Sequence, residues 1–173
     1  IGFIGAATDI TLAKEAELDL KALVEERSAE LARSEARFRA IFDSILEVIV
    51  LLDPDGTVIE LNHKSAVWRD PNPTNAIGKK IWDAPTLRNY PQHIPTMKRG
   101  VKVAAAGKLF NDEVKMEREG VPTAYLDIAL QPIRDARGRI VYLLFEARDI
   151  TELKQAQEQL RQSQKMEALG QLT

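Results

Sequence analysis

Apolar and polar positions change rhythm along the chain. From Leu12 to Phe42 there is no Gly or Pro, and the strong helix formers Ala, Leu, Glu, Lys and Arg dominate, so this segment is predicted to be helix. Leu20, Val24, Leu31, Phe38 and Ile41 recur at alternating spacings of three and four, the seam of a coiled coil, although Arg27 and Ser34 interrupt it. Ser34 also offers a cap for a separate helix starting at Glu35. The middle then switches to period two. Glu47 to Asp53 and Thr57 to Asn62 are β-rich runs around Pro54-Asp55-Gly56, a hairpin signal because Pro presets φ and Gly accepts a positive φ.

From His63 to about Gly107, Pro71, Pro73, Pro85, Pro91 and Pro95 cut the chain into short helices and loops, ending in a predicted helix from Thr96 to Ala106. Period-two patterns return in Leu109 to Met116, Thr123 to Ile133 and Arg139 to Arg148, separated by turns at Gly120 and Gly138. Consecutive hairpins exclude a parallel sheet, which needs crossovers, so the expected fold is α+β: a five-stranded antiparallel sheet with helices on one face, flanked by long N- and C-terminal coiled-coil helices. Ala124, Leu126, Ile128 and Leu130 share the interior face of their strand. Val141, Leu143, Phe145 and Ala147 face one way in the last strand while Tyr142 and Leu144 face the other. A strand apolar on both faces is expected at the sheet centre, its outer face covered by the stripe around Phe38, Ile41 and Phe42 or by the same helix of a partner chain.

After Thr151 the helical pattern resumes with Leu153, Ala156 and Leu160 in heptad spacing, then breaks phase before Met166, Leu169 and Leu172. The tripeptide Asp149-Ile150-Thr151 that opens this helix also occurs as Asp9-Ile10-Thr11. In the same register Ala7, Lys14, Ala16 and Leu20 match Ala147, Lys154, Ala156 and Leu160, which reads as one domain between two similar exits. Asp149 and Thr151 are expected to cap the helix, with Glu152 completing a capping box.

Composition narrows the chemistry. A net charge of −2 offers no electrostatic case for nucleic acid or an anionic membrane. The absence of Cys excludes disulfides, thiolate metal sites, cysteine nucleophiles and cysteinyl-flavin photochemistry within this chain. The longest nearly unbroken apolar run, Val48 to Leu52, is far short of a membrane span, and Ile1-Gly2-Phe3-Ile4 lacks the basic region of a signal peptide. The chain reads as a cytoplasmic piece of a longer protein whose membrane anchoring its own text does not address. His63 and His93 have no Asp, Glu or Cys cluster at ligand spacing, so no metal site is expected. Asp53 and Asp55 sit in a turn, and no phosphate loop or Ser-His-Asp pattern occurs, so the chain itself is expected not to be an enzyme.

The words Arg33-Ser-Glu-Ala-Arg-Phe-Arg-Ala-Ile-Phe-Asp43, Leu52-Asp-Pro-Asp-Gly56, Glu60-Leu-Asn62, Gln131-Pro-Ile-Arg-Asp-Ala-Arg-Gly-Arg-Ile140 and Arg148-Asp-Ile-Thr151 resemble a PAS domain, the small sensory module of bacterial signalling proteins. Ile77-Gly78-Lys79 before Ile81-Trp82 also sits where such domains place a Gly-led turn and an aromatic residue. The tail Gln164 to Thr173 resembles the start of the dimerisation and phosphotransfer helix of sensor histidine kinases, and the start up to Thr11 resembles the last strand of an earlier PAS domain. The resemblance implies residues 1–11 as the end of a preceding PAS-like domain, 12–42 as a signalling helix, 43–151 as the PAS core, and 152–173 as the helix into a histidine kinase dimerisation domain. Lys64 departs from the family, which often has Ala there.

The function implied is a sensory or signal-relay module of a two-component phosphorelay. A signal would pass from the sheet through Asp149, Ile150 and Thr151 to the output helix, and the parent would be a protein histidine kinase. The implied partners are a second copy, meeting through Leu20, Val24, Leu31, Phe38, Leu153, Ala156 and Leu160, the kinase core of the same parent, and a small-molecule ligand. The candidate pocket comprises Trp68, Trp82, Phe110, Val114, Met116, Leu126, Ile128 and Leu130, with Asn62, Asp112 and Tyr125 as polar contacts; the same apolar residues also serve as a close-packed core. His93 precedes the long helix, where haem-binding relatives carry an axial ligand, but Pro91 and Pro95 surround it and no haem is expected. The alternatives are a ligand-free dimerisation and relay scaffold, or a PAS module feeding another output such as a cyclase, which the kinase-like tail disfavours.

Overall fold

The computed structural model describes residues 2–62, 64 and 76–172, with side chains described from Ile10 onward. The chain divides into two compact units, Ile1–Phe42 and Asp43–Thr173. In the first, the helix α1 (Gly2–Ser44) runs without interruption, so Ser34 stays inside it and caps no second helix. The strand expected up to Thr11 is also helix. A lone strand leaves its N–H and C=O groups unpaired until it meets a sheet, whereas extending the helix of residues 12–42 pairs them within the segment. Leu20, Val24, Leu31 and Phe38 are exposed, and the Phe38 and Phe42 rings stack one helical turn apart, centroids 5.3 Å from each other.

The second unit is built on β1 (Val48–Leu52), β2 (Val58–Leu61), β3 (Phe110–Arg118), β4 (Val121–Arg134) and β5 (Ile140–Asp149). They form one antiparallel sheet in the order β2-β1-β5-β4-β3. The last strand in sequence is thus the central strand in space, as its two apolar faces predict. Alternation sends Leu52, Ile128, Leu130 and Leu143 to one face, where they are fully buried. Each such side chain contributes on the order of 1.5–3 kcal/mol by leaving water.

Short helical pieces lie against this face: 3-10 turns at Ile81–Asp83 and Pro91–His93, the helix α2 (Pro85–Arg88) and the helix α3 (Ile94–Ala105). Pro95 sits in the first turn of α3, where a missing N–H does no harm, and Met97, Val101 and Ala104 form its buried stripe. The β1–β2 turn closes through Gly56 N–H donating to the Asp53 carbonyl at 2.8 Å. Gly56 is required twice over: its φ is +85°, and a Cβ would stand 2.8 Å from the Trp82 ring. After β5, the helix α4 (Thr151–Gly170) leaves the sheet with no buried residue of its own.

Candidate functional site

Between the inner face of the sheet and the helical layer lies a cavity of about 110 Å³. Val114, Met116, Leu126 and Ile128, all anticipated, line it from β3 and β4. Three anticipated residues do not. Phe110 and Leu130 are buried beside α3, where each comes within 2.8 Å of the position a Gly100 Cβ would take. Trp82 is half-buried, with its ring against Gly56 and the ammonium groups of Lys80 and Lys98 at 6.0 and 5.6 Å from its centroid. Trp68 lies outside the described residues.

The wall also contains residues that the sequence pattern does not group with these: Val50 from β1, Phe145 from β5, and Ile81, Leu87 and Met97 from the helical layer. The signal for two of them was present, since Val50 and Phe145 hold inward positions in their alternating strands. What was missing was the pairing, in which Val50 stands directly opposite Phe145 although nearly the whole domain separates them in sequence. Among the described residues, Thr86 and His93 are the polar side chains of the wall.

The polar contacts expected at the cavity are used elsewhere. Asn62 is fully buried and knits β1 to β2: its Oδ1 accepts from Ile49 N–H at 3.0 Å and its Nδ2 donates to the Glu47 carbonyl at 2.8 Å. Asp112 accepts from the Arg99 guanidinium at 2.7 Å, tying β3 to α3. Tyr125 stands opposite Lys115 on the outer face, away from the inward Leu126. His93 Nε2 lies 2.9 Å from the Lys115 carbonyl on the edge strand β3. A carbonyl can only accept, so Nε2 carries a hydrogen and is committed to the backbone. Among the described residues, no group of three or more His, Cys, Asp or Glu side chains could hold a metal ion.

The Asp149-Ile150-Thr151 junction is a tethered corner. Ile150 is buried and occupies the N-cap position of α4 without a side-chain cap, so the expected capping box does not form. Glu152 falls too early in the first turn to reach back as a box requires, because α4 begins only at Thr151. Asp149 still satisfies a free donor, but through a tight turn in which its Oδ1 accepts from Thr151 N–H at 2.9 Å. The Thr151 hydroxyl accepts from Tyr125 N–H at 3.0 Å, and Ile150 N–H donates to the Tyr125 carbonyl at 2.9 Å. One turn further on, Lys154 Nζ meets Glu113 Oε2 at 2.5 Å. Among the described residues, no Lys or Arg pairs with Asp149; the ion pair at this corner belongs to Lys154 instead.

The tethers and the cavity are adjacent by construction. Tyr125 holds α4 through both of its backbone groups, and the next residue, Leu126, lines the cavity. Glu113 holds Lys154, and the next residue, Val114, lines the cavity as well. Strand alternation puts the two functions on opposite faces one residue apart.

Comparison with known proteins gives these features a context. The family described as the PAS fold matches residues 42–155. The chain is 34% identical over 140 residues to the sensor histidine kinase TmoS of Ectopseudomonas mendocina, and 22% identical over 124 residues to hybrid signal transduction histidine kinase D of Dictyostelium discoideum. These matches cover 80% and 70% of the chain, but only 14% and 8% of the two relatives. Among solved structures, the PAS domain of an HTR-like protein from Haloarcula marismortui superposes with a TM-score of 0.54 at 20% identity, over 73% of this chain and 99% of that one. At that identity the likeness concerns the fold.

Proposed function

This chain belongs to the PAS-fold family, a PAS sensory domain related to those of sensor histidine kinases, and we propose that it works as the signal-relay module of such a kinase. A change at the cavity wall displaces β3 and β4, the Asp149-Ile150-Thr151 corner moves with them, and α4 shifts against a second copy of itself. The output is a changed rate of His autophosphorylation in a kinase core joined to α4. The observation that carries the reading is the alternation of wall and tether on the same strands, Leu126 beside Tyr125 and Val114 beside Glu113. A ligand acts through this path only to the extent that it binds the two sheet positions with different affinity.

The flanking helices are the proposed dimer contacts. Leu153 and Leu160 lie exposed along α4, and no helix among the described residues is long and apolar enough to cross a membrane. The net charge of −2 favours neither nucleic acid nor an anionic membrane as a partner, and haem is disfavoured in this reading because the Nε2 of His93 that would hold iron is hydrogen-bonded to the Lys115 carbonyl.

Asp149→Ala in the full-length parent tests the corner. Loss of the acceptor for Thr151 N–H is expected to cost about 1 kcal/mol of stability. It is expected to weaken the signal-dependent change in autophosphorylation by roughly fivefold or more, the smallest effect of a typical coupling free energy. An unaltered signal response in a variant that still folds overturns the relay.

A further inference from the structure

We infer that Arg99 and Asp112 are positioning residues for α4, members of a chain of contacts from Arg99 through Asp112 and Glu113 to Lys154 by which a movement of α3 reaches the output helix without passing through the cavity. The inference rests on the relay reading above and adds a second input to it.

The chain begins on α3. Arg99 Nη2 donates to Asp112 Oδ2 at 2.7 Å, and its guanidinium lies over the Phe110 ring, 5.3 Å from the centroid. One side chain of the helix thus grips β3 at two residues that share a face. The second carboxylate oxygen carries the contact onward, since Asp112 Oδ1 accepts from Glu113 N–H at 2.9 Å. Glu113 in turn holds Lys154 Nζ through Oε2. A single carboxylate therefore joins α3 to the backbone of the residue whose own side chain holds α4.

The edge of the sheet makes this chain possible. β3 has a strand neighbour on one side only, so its outward backbone groups have no ladder partner. Asp112 satisfies Glu113 N–H instead. Two residues on, where alternation turns the backbone to the same edge, the Lys115 carbonyl accepts from His93, the N-cap residue of α3. Glu113 is bracketed by two attachments to the helical layer, so it follows that layer when it moves.

Exposure decides how much such contacts count. An ion pair in open water contributes little, because solvent and salt screen it. Arg99 and Glu113 are 61% and 59% exposed, but their partners Asp112 and Lys154 are only 34% and 32% exposed. Each pair has one covered member, and Asp112 is fixed through both of its oxygens. Intermediate position alone does not establish coupling between α3 and α4; a double-mutant cycle does.

The test follows amide hydrogen exchange in the full chain at Ile150 and Lys154, whose N–H groups donate to the Tyr125 and Ile150 carbonyls where α4 leaves the sheet. Arg99→Met is expected to speed exchange at both amides about two- to fivefold, the worth of a partly screened ion pair. Arg99→Lys, which keeps the charge, is expected to restore most of that protection. In a Lys154→Met background the last contact is already gone, and Arg99→Met is expected to add nothing at these amides. Equal acceleration in the two backgrounds marks a general loosening of the fold and overturns the inference, as do unchanged exchange in Arg99→Met alone and a failure of Arg99→Lys to restore protection. Should Arg99→Met fail to fold, Asp112→Asn in the same two backgrounds decides, because it keeps an acceptor for Glu113 N–H while removing the charge that Arg99 meets. Asp149→Ala separates the two readings. An altered signal response there, with unchanged exchange in Arg99→Met, removes the α3 input and leaves the relay; an unaltered response there removes the relay, whatever the exchange shows.

Discussion

Asp55 shows what a single side chain does at a turn and what its neighbourhood does to it. The Lys80 ammonium at 2.7 Å, then the Thr57 hydroxyl and the Thr57 amide, hold its carboxyl down at about 2, below the ordinary 3.8. A lowered carboxyl binds its proton less tightly in the folded chain than in the unfolded one. Its contribution is therefore present above about pH 4 and disappears as pH falls through about 2. The urea midpoint is expected to drop more steeply between about pH 4 and pH 2 in the natural chain than in Asp55→Asn, with the two curves parallel above about pH 5. Identical slopes for the two proteins across that window remove the linkage. The turn itself was legible in Asp53-Pro54-Asp55-Gly56, whereas the Lys80 partner was not, since only the fold brings residue 80 beside residue 55. Asn62 repeats the lesson in the opposite sense. Its polarity marked it as a site residue, and its full burial made it a bracket for β1 and β2 instead.

At the scale of elements, period-two alternation located every strand of the sheet to within about two residues, because the hydrophobic face of a half-buried strand is written locally. Helix α3 was equally legible, yet its contact with the sheet depends on a residue that propensity argues against. Gly100 weakens an isolated helix by roughly 0.5–1 kcal/mol relative to Ala. Here a Cβ would lie 2.8 Å from both Leu130 and Phe110, side chains with little room to retreat. Overpacking of this kind costs about 1–3 kcal/mol, so Gly100→Ala is expected to destabilise by a net of roughly 1–2 kcal/mol despite its better helix propensity. Urea denaturation reads the difference, and a stabilised variant shows that α3 stands off the sheet. The α4 start illustrates where local motifs stop being sufficient. Asp149, Thr151 and Glu152 spell a capping box, but burial of Ile150 and the tie to Tyr125 move the cap position by one residue and turn Asp149 into an Asx-type acceptor.

Across the described residues, most of the exposed large apolar side chains lie on helices: Leu20, Leu31, Leu153, Leu160, Met166 and Leu169 all remain at least half accessible. Water does not favour such stripes on isolated helices, and in the proposed dimer a second copy in parallel register would bury them in heptad fashion. The full chain is expected to sediment as a dimer, and the pair Leu153→Asp and Leu160→Asp to raise its dissociation constant at least about tenfold while leaving the PAS core folded. Sedimentation of the natural chain as a monomer at about 100 μM, far above an ordinary dimer constant, overturns the dimer.

The sequence by itself determined the periods: helix, alternating strands, prolines that break, and an Asp-Ile-Thr corner leading into a second helix, all set by steric and hydrophobic rules acting within a few residues. It also determined what the chain lacks the side chains to do, since no fold can supply a cysteine. Only the tertiary structure decided that β1 pairs with β5, and with that the composition of the cavity. Val50 meets Phe145, His93 meets Lys115, and Glu113 meets Lys154 across long separations in sequence. Such pairings leave little local trace, because the free energy that selects them comes from burying one shared core and not from any segment's own preference. The cavity and the tethers of α4 follow from that selection, and so does their placement one residue apart on the same strands.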